Sequence, residues 1–241
     1  MIPRDMWTRL AIDPLADPLA RVLAPRAGVT PNRVTAVASL LGVAAAACLA
    51  TGRLRLGGGL FLLRFFTDCL DGKIARQQGS STERGALFDV ASDVVCVSAA
   101  YACLGLWAID AERVSAPVVA GLLVALGCHL WALDHRKHLA DRAGLGEGRS
   151  DLAGRTDLPL LDPWLRFCRR IRMNPVPWTV EVETLVLGLL PLAGPRPAAA
   201  GLVFGLVFYV TATGINLRRC RRIAARLDVV RRREPSERAT S

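Results

Sequence analysis

Three stretches of this chain, 34–52, 114–133 and 197–217, are long enough to cross a bilayer and hold no Asp, Glu, Lys or Arg. A membrane-spanning helix needs about 20 mostly apolar residues, so these blocks rule out an ordinary soluble fold. Three further stretches, 56–75, 85–109 and 176–194, are apolar with a few charges inside them. Together they predict an all-α, polytopic membrane protein with six transmembrane helices. The 52% hydrophobic content and the mean hydropathy of +0.32 agree with that class.

The net charge of +10 invites a nucleic-acid reading, but its distribution argues for topology instead. With six spans and a cytoplasmic N-terminus, 26 of the 31 Lys and Arg fall on the cytoplasmic side. The outer loops hold Arg53, Arg55, Arg113 and Arg196, and Arg64 lies within a span. This positive-inside bias predicts a multi-pass protein of the cell membrane with both termini cytoplasmic, and no nucleic-acid partner. Residues 1–33 read as a cytoplasmic amphipathic N-terminal segment broken at Pro14, Pro18 and Pro25, lying on the membrane surface or forming an ordinary packing helix, residues 34–218 as the membrane domain, and 219–241 as a basic tail on anionic headgroups. Thr30 and Pro31 are a predicted N-cap and first helical residue for the first span. The seven cysteines form no C-x-x-C pair and read as small buried residues.

The chemistry is concentrated in residues 68–93, whose pattern is D-x2-D-G-x2-A-R-x8-G-x3-D-x3-D. At about 100° per residue, Asp71, Gly72, Ala75 and Gly79 lie within roughly 60° of Asp68, with Arg76 at the edge of that stripe. Gly79 is the predicted end of this helix, and Ser80 with Glu83 has the spacing of a capping box for the next. On that next helix Gly85, Asp89 and Asp93 are four apart and share a face. A hairpin therefore brings four carboxylates together at a membrane boundary, where unpaired acids are costly and functional. All-oxygen ligands select a hard divalent cation, Mg²⁺ or Mn²⁺, and four acids suit two ions. The small residues leave room for a substrate against the backbone, and Arg76 can pair with phosphate. The residues alone point to metal-assisted phosphoryl transfer at the cytoplasmic interface.

This pattern matches at every specified position the signature of the CDP-alcohol phosphatidyltransferases, and "TPNRVT" resembles that family's stretch ahead of the first span. The resemblance implies a homodimer with a cavity open to the cytoplasm and the lipid. It implies that Asp68, Asp71, Asp89 and Asp93 hold metal, that Asp93 is also the catalytic base, and that Gly72, Ala75, Arg76 and Gly85 hold the CDP group. The implied reaction moves a phosphatidyl group from CDP-diacylglycerol to a small alcohol and releases CMP. A membrane prenyltransferase with an Asp-rich site, or a non-catalytic membrane protein, are the alternatives.

The acceptor is the least legible part. Arg64 is placed either to pair with an aspartate or to meet an acceptor phosphate. Arg136, Lys137, Arg172, Arg218 and Arg219 flank the expected cavity mouth, and favour a phosphorylated acceptor such as glycerol 3-phosphate or an inositol phosphate. Glu181 and Glu183 are the acids that an amine-bearing acceptor would need. His129, His135 and His138 read as structural or interfacial.

Overall fold

The computed structural model describes residues 5–145, 162–171 and 178–238, which are helical with no strand among them. After a π-helical turn at Thr8–Ile12 come α1 (Asp13–Leu23), α2 (Pro31–Ala50), α3 (Leu54–Gln78), α4 (Glu83–Asp110) and α5 (Ala116–Arg142). They are followed by α6 (Asp162–Ile171), α7 (Thr179–Glu183), a π-helical turn at Thr184–Leu189, α8 (Leu190–Ala193) and α9 (Pro195–Arg238).

Four helices have the length and apolar composition to cross a membrane: Pro31–Ala50, Glu83–Asp110, Ala116–Arg142 and Pro195–Asp228. No more than 33% of the apolar window in any of them is buried inside the protein. The rest needs cover from outside, as expected of an integral membrane protein. The expected count of six is corrected to four. Helix α3 has 25 residues, about 37 Å, but carries Arg55, Arg64, Asp68, Asp71, Lys73 and Arg76. The fifth apolar stretch is divided among α7, a π-helical turn and α8, and its helix runs only from Thr179 to Ala193. The C-terminal helix α9 continues without a break past residue 218, where a separate tail was expected. Its Arg, Ala and Leu residues there are good helix formers.

Helix α2 packs along both α3 and α4, and α5 packs along α9. The main core joins Leu49, Phe61, Tyr101, Leu104, Leu122, Val186, Leu202 and Tyr209. Backbones approach closely where glycine permits it. A Cβ on Gly58 would stand 2.5 Å from the carbonyl oxygen of Gly188, and one on Gly188 would stand 2.5 Å from a Leu62 methyl group. Small residues at such crossings let helices pack in lipid, where van der Waals contact replaces the hydrophobic drive.

Of the two expected placements of the N-terminal segment, the structure shows the packing helix. Helix α1 buries Asp13, Ala16 and Ala20, and leaves Leu15, Leu19 and Val22 exposed. Pro14 sits in its first turn and Pro18 lies inside it, so neither breaks it, contrary to expectation. Ala16 and Ala20 meet Leu70 and Ile74 of α3. The clamp is Lys73, buried to 5% exposure, whose Nζ donates to Asp13 Oδ1 at 2.5 Å and also to Asp17. Removing one partner of a buried ion pair costs about 3 kcal/mol or more. Lys73→Ala is therefore expected to lower thermal stability in detergent and open the chain to trypsin at Arg21 and Arg26. Wild-type melting and digestion patterns in that variant would show that the clamp contributes nothing.

Candidate active site

Helix α3 ends at Gly79, whose φ of +61° is the left-handed conformation that glycine adopts without a Cβ penalty. The N–H groups of Gly79 and Ser80 both return to the Ala75 carbonyl. The cap of α4 is Thr82 rather than Ser80: its hydroxyl accepts from the Gly85 N–H at 3.1 Å. Glu83 is then the first-turn acid beside the positive end of the helix. This tight reversal sets the α3 and α4 motif faces against each other.

Carboxylate oxygens of Asp68, Asp71 and Asp89 lie within 4.8 Å of one another. Asp71 is 3% exposed, and the Thr35 hydroxyl donates to its Oδ2 at 2.5 Å. Asp89 Oδ1 is buried without a hydrogen-bond partner. Three converging carboxylates, one of them with an orphan oxygen, fit a divalent cation.

Asp93 is turned to another partner. Arg64 Nη2 donates to Asp93 Oδ1 at 2.6 Å and to Asp68 Oδ1 at 3.0 Å. Arg64 is 1% exposed, and its stem is 3.6 Å from where a Gly42 Cβ would stand. Of its two expected roles, the structure shows the pairing with aspartate. The Asp93 side chain stays 46% exposed, so its second oxygen side is open to a substrate.

The residues expected around the nucleotide line the same faces. Gly72, Ala75 and Gly85 are half-buried, and Arg76 is exposed. Arg76 folds back over Gly72, with Nη1 3.4 Å from the Cβ that Gly72 lacks. A Cβ on Gly85 would approach Asn32 Oδ1 at 3.4 Å, so the start of α2 closes over the start of α4.

Sequence reasoning missed the supports. Thr35 gives no distinctive signal, being a single threonine on an apolar helix. The Lys73 clamp is hidden in the unspecified positions of the motif. Glu181 is buried, and its two oxygens accept the N–H groups of Met6 at 2.6 Å and Trp178 at 2.8 Å. It ties the N-terminal segment to α7. Glu183 is half-buried in the electrostatic field of Asp93, Arg64 and Asp68. His129 is buried, with Nε2 2.9 Å from the Thr179 hydroxyl. His135 stacks on Trp131, and His138 sits 3.3 Å from Asp134. Half-buried Arg136 and Arg219 lie close enough to repel each other. Lys137 and Arg218 are exposed, and Arg172 lies outside the described residues. All seven cysteines are free.

Residues 28–147 match the family described as CDP-alcohol phosphatidyltransferase. The phosphatidylinositol phosphate synthase of Mycolicibacterium smegmatis is 32% identical over 201 residues, which are 76% of this chain and 82% of that protein. The chain belongs to the CDP-alcohol phosphatidyltransferase family. The phosphatidylinositol phosphate synthase of Mycobacteroides abscessus is 36% identical over 132 residues, 54% of this chain and 59% of that protein. The crystal structure of Mycobacterium tuberculosis phosphatidylinositol phosphate synthase with CDP-DAG bound aligns with a TM-score of 0.52 and 24% identity, over 86% of this chain and 94% of that one. The same protein in complex with manganese and citrate gives 0.51 and 24%, over 86% and 88%. At that identity the likeness establishes a shared fold. This CDP-alcohol phosphatidyltransferase is thus an enzyme, a membrane transferase of phospholipid biosynthesis, and the prenyltransferase and non-catalytic alternatives fall away.

Proposed function

We propose that this enzyme transfers a phosphatidyl group from CDP-diacylglycerol to an inositol phosphate and releases CMP. The observation that carries the reading is the convergence of Asp68, Asp71 and Asp89 within 4.8 Å, with Asp93 one turn beyond Asp89. These acids would hold Mg²⁺ or Mn²⁺, as two ions when Asp93 shares in the site. Such ions neutralise phosphate charge and polarise the phosphorus under attack. Gly72, Ala75 and Gly85 admit the CDP group against the helix backbones, and Arg76 pairs with its phosphates.

Asp93 receives the proton of the acceptor hydroxyl. The freed oxygen forms a bond to the phosphorus next to the diacylglycerol. The bond from that phosphorus to the oxygen bridging toward CMP breaks, and CMP leaves with the electron pair. Arg64 keeps Asp93 aimed while this happens, since its Nη2 holds just one of the two Asp93 oxygens.

Two features support a phosphorylated acceptor. The relatives named above are phosphatidylinositol phosphate synthases. Arg136 and Arg219 are held near each other on the packed pair α5 and α9, an arrangement a phosphate dianion would relieve. We further propose a homodimer with both termini cytoplasmic. The apolar faces of Leu40, Val43, Leu87 and Leu106 give lipid or a second copy ample surface to cover. Reconstituted enzyme with labelled CDP-diacylglycerol is expected to release CMP with inositol phosphate. Arg136→Gln and Arg219→Gln should each raise the acceptor KM about tenfold or more. Product formed with free inositol or serine, and none with inositol phosphate or glycerol 3-phosphate, would overturn the acceptor assignment and leave the donor chemistry standing.

A further inference from the structure

Glu183 acts electrostatically on the aspartate cluster from an element that carries none of the motif. The segment 179–193 runs antiparallel to α3, because Gly58 meets Gly188 and Pro191 while Leu62 meets Gly188. Five residues back from Gly188 is Glu183, and about six on from Leu62 is Asp68. At 1.5 Å per residue the two steps are each about 8 Å, which sets Glu183 level with the cluster. It interacts electrostatically with Arg64, Asp93 and Asp68, yet accepts no hydrogen bond among the described residues. It directly precedes the π-helical turn Thr184–Leu189, a widening often found at functional positions.

Arg64 is the complementary half. Both its bonds to aspartate leave from Nη2, while its Nε is buried with no partner among the described residues. The guanidinium, 1% exposed, therefore has a donor to spare away from solvent.

We propose that Arg64 is the resident counter-ion of the aspartate cluster, and that Glu183 is the second partner to which it turns when a divalent cation takes its place at Asp68, its bond to Asp93 being kept. This rests on the reading of Asp68 as a cation ligand. A guanidinium and a divalent cation on the same carboxylate repel strongly in a site of low dielectric. The buried arginine cannot retreat to solvent, and an uncompensated charge there is costly. Glu183, which interacts electrostatically with Arg64, supplies the compensation. It is thus a positioning residue that sets how readily the cluster accepts its cation, without touching the reacting atoms.

The test is Mn²⁺ binding to the purified full-length chain in detergent, read by electron paramagnetic resonance without substrate. Glu183→Gln is expected to weaken Mn²⁺ about tenfold, the size of effect typical of groups behind the ligands. Glu183→Asp, which restores the charge, should recover affinity to within about threefold. In an Arg64→Gln background, Glu183→Gln should change affinity less than about twofold, because the two residues act as one unit. Equal weakening in both backgrounds would show that Glu183 acts on the cation directly and would overturn the exchange. Unchanged affinity in Glu183→Gln would overturn it too. Should Arg64→Gln fail to fold, Glu183→Asp decides alone: affinity left at the Gln level sinks the proposal. A wild-type chain that binds no Mn²⁺ would refute the metal reading itself, a result distinct from a flat mutant cycle.

Discussion

Asp71→Ala is expected to abolish transfer, with a fall in kcat of at least ~10³-fold, beyond the 10–100-fold that outer-shell partners are worth. Asp71 is the most buried carboxylate of the converging three, so water cannot replace its oxygen easily. Thr35 gives the graded control. Its hydroxyl holds Asp71 Oδ2, so Thr35→Val should weaken cation binding about tenfold while leaving all the ligands in place. Chelation of the wild type should silence it reversibly, and added Mn²⁺ or Mg²⁺ should restore it. The measurement is CMP release from CDP-diacylglycerol by purified protein. Full activity in a chelated preparation, or in Asp71→Ala, would remove the metal from the mechanism.

Asp93→Asn should cost ~10²–10⁴-fold in turnover, the range of a lost general base. The substitution is informative because the amide oxygen can still accept from Arg64 Nη2. The side chain keeps its place and loses only its capacity to take a proton. CDP-lipid binding, measured by retention of labelled donor, should stay within about twofold of wild type, because Asp68, Asp71 and Asp89 remain. Near wild-type turnover would transfer the base role to another group.

What could be read beforehand follows from how far each residue's neighbours lie along the chain. The carboxylate face was legible because helical periodicity acts over a few residues, and Gly79 marks the end of α3 by its own backbone. The capping residue was misplaced by two positions, since Ser80, Ser81 and Thr82 offer similar hydroxyls and only the fold chooses among them. The number of spans was overcounted because hydropathy treats α3 and the 179–193 segment as apolar with blemishes. In the structure α3 carries the charged site, and the other is short and bulged. The supports were invisible because each joins distant positions. Lys73 meets Asp13 and Thr35 meets Asp71, across 60 and 36 residues respectively.

The reversal between α3 and α4 also bears on how this chain can change length. Gly79 closes one helix by its backbone and Thr82 opens the next by its side chain, so only Ser80 and Ser81 lie between two fixed ends. A residue added within either helix would rotate everything beyond it by about 100°, carrying Asp89 and Asp93 off the face they share with Asp68 and Asp71. Substitutions at Ser80 or Ser81 leave that phase intact. The turn is therefore a ruler: it tolerates a change of letters but not of count. Insertions, tags and chimeric junctions belong elsewhere in the chain.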